Sequence, residues 1–205
     1  MFFAYTDIKI KNQYFKGANM AIKIYIDQGH NPQNPNAGAE GNGYREQDVV
    51  YEIGIRLRDL LVANGNFEVR LSRPTPNTQL GTSNASSLSA RTTDANRWGA
   101  DYFISLHTNA GSRTATGTEA FVYSIPSAAY ELALEITKGI SNYTGLRNRG
   151  VFARPSLWVL RKTEMPAVLC ELAFISNPSD ANLLANDPNA FATGIYTGIL
   201  SYLGL

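Results

Sequence analysis

The sequence predicts an α/β fold, a single domain built on a mainly parallel twisted sheet with helices on both faces. Short apolar runs alternate with segments of helical periodicity from residue 22 to the C-terminus. Strands separated by helices need crossover connections, which favour parallel pairing and a sheet covered on both sides. No internal repeat or interdomain linker divides the chain, and its 205 residues are enough for one substantial core.

Residues 1–20 are predicted to be an N-terminal extension that is not part of the fold. Lys9, Lys11 and Lys16 interrupt this segment, so it lacks the continuous apolar region of a signal peptide. Met20 is a candidate natural start, because it leads directly into the first strand. The domain is therefore predicted to comprise residues 21–205.

The first strand is predicted at Ile22–Asp27, and a polar loop suited to line a site follows at 31–43. A helix begins near Glu46, with apolar residues three and four positions apart, and Asn64-Gly65 provides its stop signal. A second strand is predicted at 67–71. The apolar helical positions are Val49, Val50, Ile53, Leu57, Leu60 and Leu61.

The middle of the chain continues the alternation. A long polar loop at 73–88 precedes a helix that Ser89 can cap and that extends to about Trp98. Strands are predicted at 102–106 and 118–123, and a helix at 127–143.

Toward the C-terminus, short apolar runs at 157–160 and 167–170 predict two more strands. The densest basic stretch, Arg147 to Arg154, is interpreted as a solvated loop. Asn177-Pro178 breaks the chain, and Asp187-Pro188 opens a last helix with a cap and a proline at the first helical position.

Composition excludes several functional classes. The formal charge is +1 and no basic stripe is present, which argues against nucleic-acid binding. No apolar stretch is long enough to span a bilayer. The single cysteine, Cys170, excludes an intramolecular disulfide and is predicted to be a buried, inert thiol because it lies in an apolar run.

Both histidines of the chain follow apolar strands. His30 comes after the first strand, His107 follows 102–106 directly, and Glu171 follows 167–170 in the same way. Ligands of open α/β sheets bind outside the carboxyl ends of the strands. The three groups are therefore predicted to converge on one site, which indicates an enzyme.

A catalytic zinc needs a third protein ligand and an open position for water. Glu46 is the best candidate, although the helix dipole alone also favours a carboxylate at that position. Glu40 and Glu119 are alternative ligands, and Asp27 is better placed as a supporting group. Glu171 would act as general base. The chain contains neither a Gly-x-Ser-x-Gly elbow nor a His-Glu-x-x-His helix, so serine hydrolase and zincin chemistry lack support.

Several segments resemble the motifs of zinc-dependent N-acetylmuramoyl-L-alanine amidases of the AmiC/LytC type, the Amidase_3 family. The resemblance covers roughly residues 22–205, in order and with compatible spacing. The matching segments are Asp27-Gln28-Gly29-His30, Gly38-Ala39 with Gly43 and Glu46, Leu71-Ser72-Arg73, Leu88-Ser89-Ala90-Arg91 with Ala95-Asn96, the run 105–110 and the run 166–177.

This resemblance implies that His30, Glu46 and His107 bind Zn²⁺ and that Glu171 is the general base. Residues 21–205 would form a catalytic amidase domain that cleaves the amide between N-acetylmuramic acid and the first L-alanine of the peptidoglycan stem peptide. The departures from the family pattern touch none of these residues. They are Gln28, Asn31-Pro32, Cys170 and Ala173. The inserted helix that blocks some relatives is missing after Glu46, so we expect an open groove.

Two other functions compete with the amidase. A zinc peptidase acting on stem peptides would need an arginine clamp, which Arg147 to Arg154 could supply, and a non-catalytic cell-wall-binding module would bind no zinc. We expect a monomer that acts on peptidoglycan at the bacterial cell wall. It should neither span a membrane nor bind nucleic acid, and the sequence leaves open whether it also binds a regulatory protein. The sequence does not separate an autolysin, a sporulation or germination amidase, and a phage lysin, and it leaves the export route open.

Overall fold

A computed structural model describes residues 21–205. The predicted extension at 1–20 and the proposed start at Met20 lie outside the described residues. The single α/β domain is confirmed, with a six-stranded sheet in the order β4-β1-β5-β8-β6-β7. The strands are β1 Ile22–Gln28, β4 Phe67–Leu71, β5 Tyr102–Asn109, β6 Thr118–Val122, β7 Asn148–Ala153 and β8 Ala167–Phe174, and a separate ribbon pairs β2 Glu40–Gly41 with β3 Tyr44–Arg45.

The sheet is mainly parallel, as predicted. β1 pairs in parallel with β4 and β5, β5 with β8, and β6 with β7. Only the β6–β8 pairing within this sheet of the described chain is antiparallel. The carboxyl ends of β1, β5 and β8 therefore point the same way, and residues that follow or end these strands meet at one edge.

Six helices of the described chain cover the two faces. Their bounds are α1 Glu46–Asn64, α2 Asn84–Trp98, α3 Ala128–Thr144, α4 Trp158–Lys162, α5 Pro178–Asn186 and α6 Pro188–Leu203. α1, α3 and α6 pack on the face that carries Ile24, Ile104 and Val168. α2 and α4 pack on the opposite face, against Tyr25 and Phe103. Within residues 21–205, no helix combines the length and apolar character needed to cross a bilayer.

Helix ends follow local capping chemistry. Gly65 ends α1 with φ 82°, a left-handed conformation that glycine adopts without penalty, as predicted. Asp187 caps α6 by accepting a hydrogen bond from the backbone N–H of Ala190. The cap of α2 was predicted wrongly. Ser83, not Ser89, accepts from the N–H of Ser86, whose hydroxyl in turn accepts from the Ser83 N–H; this capping box begins the helix earlier.

Two further predictions are wrong near the C-terminus, and a third is incomplete. The run 157–160 is not a strand but leads into α4, because four apolar residues do not distinguish the two periodicities. Arg147 to Arg154 is not a loop, since most of it forms β7, an edge strand whose polar residues face solvent. Asn177-Pro178 does not only break the chain, because Asn177 caps α5 and Pro178 occupies its first turn.

Candidate metal centre

Three potential metal ligands converge at the carboxyl end of the sheet. Glu46 Oε1 lies 3.2 Å from His30 Nε2 and 3.0 Å from His107 Nδ1. One ligand atom from each residue lies within 4.8 Å of the others. The structure thus brings together the three residues that the sequence suggested as ligands.

The local placement differs from the prediction for two residues. His30 follows β1, as expected, but His107 and Glu171 lie inside β5 and β8, which continue to Asn109 and Phe174. The two residues are partners in the parallel β5–β8 register, and this register shifts between His107 and Asn109. Glu171 is therefore the immediate neighbour of a candidate ligand on the adjacent strand.

Glu46 is held by more than the helix dipole. Its side chain is 4% exposed. Oε1 accepts a hydrogen bond from the N–H of Thr108, and Oε2 accepts one from the N–H of Ala39. Four interactions, with one loop amide, one strand amide and two histidines, thus fix the carboxylate at the start of α1.

The alternative ligands lie elsewhere. The Glu40 side chain is 71% exposed and lies 3.9 Å from Arg45. Glu119 accepts hydrogen bonds from Arg149 Nε at 2.6 Å and from the amide of Asn109 at 2.8 Å. Neither carboxylate belongs to the cluster, so among the three candidates the geometry favours Glu46.

The cluster also sets its own charge state. Burial opposes ionisation of Glu46, but hydrogen bonds and charge interactions with His107 and His30 hold the pKa of its carboxyl well below the usual range. Burial would lower the pKa of His107, yet Glu46 raises it above its ordinary value. Without a metal, the carboxylate therefore stays ionised and His107 holds a proton more strongly than a free histidine.

Glu171 has a different environment from Glu46. Its Oε2 atom is buried and has no hydrogen-bond partner among the described residues. Burial, together with the negative charges of Glu46 and Glu119, raises the pKa of Glu171 to about 7, while His107 and Arg154 act in the opposite direction. A carboxyl group with this pKa can accept and release a proton near neutral pH.

A buried ion pair fixes the backbone that carries His30. Asp27 and Arg91 are each 1% exposed and lie 2.6 Å apart. Arg91 also donates to the carbonyl oxygens of Gln28 and His30, and Ser105 donates to the second oxygen of Asp27. His30 has φ 65°, which non-glycine residues seldom adopt, so these contacts stabilise an otherwise unfavourable conformation.

A second buried arginine supports the Glu46 side of the cluster. Arg73 donates from its guanidinium to the carbonyl oxygen of Gln47 and from its backbone to Oε1 of Gln28. Gln47 in turn accepts a hydrogen bond from the N–H of Gly38, next to Ala39. Arg73 thus connects the start of α1 to the loop that binds the Glu46 carboxylate.

Two glycines let the loops approach the ligands. A Cβ atom on Gly29 would lie 2.5 Å from His107 Cε1 and 2.6 Å from the carbonyl oxygen of Leu106. A Cβ on Gly38 would lie 2.9 Å from both Glu46 Oε2 and His30 Cδ2. These distances are too short for a side chain, so the cluster requires glycine at both positions.

Arg73, Arg91, Gly29 and Gly38 lie in segments that resemble the family motifs, but the sequence pattern indicated no individual role for them. A signal for Arg91 was present, because Asp27 ends an apolar strand and a buried carboxylate needs a partner. Other predictions agree with the structure. Cys170 is fully buried, and burial raises the pKa of its thiol, as expected for an inert residue.

The cluster fits a metal ion. Ligand atoms about 2.0–2.2 Å from a tetrahedral zinc lie about 3.3–3.6 Å apart. The separations of 3.0 and 3.2 Å around Glu46 Oε1 are slightly shorter than this spacing, and all three ligand atoms lie within 4.8 Å of one another, so a small adjustment of the side chains would accommodate the ion. Two imidazoles and one carboxylate match the donor sets of catalytic zinc sites. The His30 and His107 side chains are each 20% exposed, so solvent reaches the cluster.

Comparisons with known proteins agree with this geometry. The sequence model of the Amidase_3 family, described as N-acetylmuramoyl-L-alanine amidase, matches residues 24–201. The chain is 36% identical over 181 residues to the N-acetylmuramoyl-L-alanine amidase CwlM of Bacillus licheniformis, covering 86% of this chain and 65% of that protein. It therefore spans less than two thirds of that relative's length.

Solved structures show the same fold. The N-acetylmuramoyl-L-alanine amidase from Clostridium difficile 630 superposes with a TM-score of 0.81 at 31% identity, covering 91% of this chain and 98% of that one. The CwlD amidase from Clostridioides difficile, solved in complex with the GerS lipoprotein, has a TM-score of 0.82 at 26% identity and covers 89% of this chain and 98% of its own.

Proposed function

The chain belongs to the Amidase_3 family of N-acetylmuramoyl-L-alanine amidases, and from this we propose that it hydrolyses the amide between N-acetylmuramic acid and L-alanine in peptidoglycan. Residues 21–205 would form the catalytic domain. One observation carries the proposal. Within the matched region, the cluster of His30, Glu46 and His107 lies beside a buried carboxyl group, Glu171, whose pKa lies near neutrality.

We further propose Zn²⁺ as the cofactor, held by His30, Glu46 and His107. The spacing of their ligand atoms and the donor set support this assignment. When bound at such a site, zinc polarises a carbonyl group and lowers the pKa of water toward about 7. The low pKa of Glu46 favours the ionised form that a metal requires.

Glu171 would move the proton during hydrolysis. Its buried Oε2 has no protein partner within the described chain and is free to accept a proton from the attacking water. With a pKa of about 7, it could then transfer that proton to the nitrogen of the departing alanine. In this hydrolysis the C–N bond breaks and the water oxygen bonds to the lactyl carbonyl carbon. One proton of the water goes to the alanine nitrogen, and the other stays with the new carboxyl group.

The remaining residues of the site would position these groups. Arg91 and Asp27 hold the His30 backbone, and Thr108 and Ala39 hold the Glu46 carboxylate. Because protein groups hold the His30 backbone and the Glu46 carboxylate, these two metal-binding residues would need little reorganisation to receive a metal.

Digestion of purified cell walls tests the function. We expect new amino-terminal alanine without new reducing sugar ends, and a loss of this release when a chelator removes the metal. Excess Zn²⁺ added after the chelator should restore it. Release of free amino acids from stem peptides would indicate a peptidase, and no release at all from metal-loaded protein would favour a binding module.

The biological setting is also a proposal. Peptidoglycan as the partner places the activity at the cell wall. The complex of the CwlD relative with the GerS lipoprotein supports a protein partner for this chain. Co-purification of the chain with a protein from its own host, at a defined stoichiometry, would test that idea.

A further inference from the structure

The sheet order separates two chemically different sides of the candidate site. His107 and Glu171 lie on the central strands β5 and β8, while β1 and β4 lie toward one edge and β6 and β7 toward the other. A substrate bound across the carboxyl end of the sheet would therefore contact different side chains on each side of the scissile bond.

The cleft near β1 and β4 has an uncharged lining. This cleft of about 540 Å³ opens between the loop after His30 and the loop that follows β4. Its polar lining consists of amide and hydroxyl side chains, and none of its lining residues is charged. The polar residues are Gln33, Asn34, Asn77, Gln79 and Thr82. Such a surface suits neutral hydroxyl and acetamido groups, the chemistry of N-acetylated sugars.

The side near β6 and β7 is cationic. Arg149 is already paired within the protein, because it binds Glu119 at 2.6 Å and its guanidinium lies 5.0 Å from the centre of the Phe174 ring. Arg154 is exposed, and no carboxylate of residues 21–205 forms a salt bridge with it. Its guanidinium lies 4.5 Å from the centre of the Phe121 ring.

Phe121 places Arg154 on the same face as the reacting groups. In the antiparallel β6–β8 register, Phe121 pairs with Leu169 and Glu119 pairs with Glu171. Residues two apart in a strand share one face and lie about 7 Å apart. Arg154 therefore lies over a position two residues before Glu171, toward the amino end of β8, because β6 and β7 run antiparallel to that strand. A peptide that reaches Arg154 from the metal ligands extends along this face of the sheet, and the charge of Arg154 is one of those that act on the Glu171 carboxyl.

We propose that Arg154 binds a free carboxylate of the stem peptide and so directs the peptide toward β6 and β7, with the sugar toward β1. This inference rests on the proposed amidase function, because it concerns the two sides of that substrate. The leaving side of the amide carries glutamate and later stem residues, which bear carboxylates, whereas the sugar side is neutral. A guanidinium forms a bidentate pair with a carboxylate, and stacking on Phe121 holds it in place for this role.

Two synthetic substrates test the proposal. They are N-acetylmuramoyl-L-alanyl-D-glutamate and its bis-amide, which differ only in the charge of the peptide end. A hydrogen bond to a charged group contributes about 1.5–3 kcal/mol, or roughly 10–150-fold. We expect the wild type to have a kcat/KM at least about tenfold higher for the carboxylate form, and Arg154→Met to lose that preference. The readout is the ratio of the two substrates within each variant, because removing the charge of Arg154 also acts on the Glu171 carboxyl and so changes both rates together.

Two variants serve as comparisons. Arg154→Lys keeps the charge but not the bidentate fork, so it should recover part of the preference. Arg161→Met is the matched control. Arg161 is also exposed and lies 5.8 Å from the centre of an aromatic ring, that of Trp158, but it lines a separate pocket near the start of β8. This control should behave like the wild type on both substrates.

A binding measurement separates this inference from the proposed function. Calorimetry with L-alanyl-D-glutamate and its bis-amide needs no turnover, and we expect a preference for the carboxylate form that Arg154→Met removes. Carboxylate-dependent binding without hydrolysis of any muropeptide would refute the amidase activity and leave the role of Arg154 intact. Equal binding and equal cleavage of the two forms by the wild type, or an equal loss on both forms in Arg154→Met, would overturn the role of Arg154.

Discussion

Replacing Arg91 by methionine should destabilise the domain more than removal of any surface ion pair. The substitution leaves the Asp27 carboxylate, 1% exposed, without its cation at 2.6 Å, and it leaves the carbonyl oxygens of Gln28 and His30 without their donor. Removing one partner of a buried pair costs about 3–5 kcal/mol. In a domain of this size, each kcal/mol lowers the melting temperature by roughly 2–4 °C, so we expect a decrease of about 6–20 °C.

The matched control is Arg70→Met. Arg70 forms an ion pair of similar length, 2.7 Å, with Asp94, but the two side chains are 47% and 38% exposed. Exposed pairs contribute about 0–1 kcal/mol. Urea denaturation of both variants gives the comparison, and similar losses in the two would show that the buried pair adds little.

The pH dependence gives an independent check on Arg91→Met. Burial alone would raise the pKa of Asp27, but Arg91 holds it below its ordinary value in the wild type. The wild-type pair therefore contributes stability above the unfolded pKa of about 3.9, and this contribution is lost as the pH falls through the lower folded pKa. In the variant, burial remains without Arg91 and the pKa of Asp27 should rise. The destabilisation relative to wild type should thus shrink as the pH falls from 7 toward about 4.

Three further predictions concern the metal cluster. Glu171→Gln should retain zinc but lose about 10²–10⁴-fold in turnover, whereas Glu46→Ala should lose zinc as well. Metal analysis of each variant, run beside the amidase assay, distinguishes the two effects. Near-full activity of Glu171→Gln would exclude Glu171 as the base. Gly29→Ala should weaken zinc binding at least about tenfold, because the new Cβ atom would displace the His107 ring. The control is Gly111→Ala, in which the new Cβ atom would lie 3.4 Å from Phe174. This control variant should have the zinc affinity of the wild type. Zinc affinity should also fall between pH 7.5 and pH 5.5, because Glu46 raises the pKa of His107 and protons compete with the metal for its ring; a pH-independent affinity in titrations would contradict this.

Where local periodicity is strong, the sequence was enough to predict the fold. β1 and α1 were found because their apolar spacing is regular and Gly65 ends the helix in the left-handed conformation. β7 was missed because an edge strand buries only part of its side chains and therefore shows little apolar alternation. α4 was missed because the apolar run at its start has four residues, about one helical turn, and a run of that length does not distinguish a helix from a strand.

The convergence of His30, His107 and Glu171 was predictable because the carboxyl ends of neighbouring parallel strands meet. The choice of Glu46 over Glu40 and Glu119 was not. Glu46 and Glu119 acquire partners only after folding, because these partners are distant in the chain. Glu46 contacts Thr108, whereas Glu119 contacts Arg149.

The buried pair of Asp27 and Arg91 explains why such a site needs support from the core. Replacing a buried ion pair by apolar residues of similar volume often leaves a protein as stable as before or makes it more stable. Stability alone therefore gives little reason to retain these charges. An apolar pair, however, could not donate to the carbonyl oxygen of His30 or hold that residue at φ 65°. The charges are therefore best understood as the means by which the core fixes one metal ligand. The same geometry excludes a side chain at Gly29, which must leave space for the other histidine.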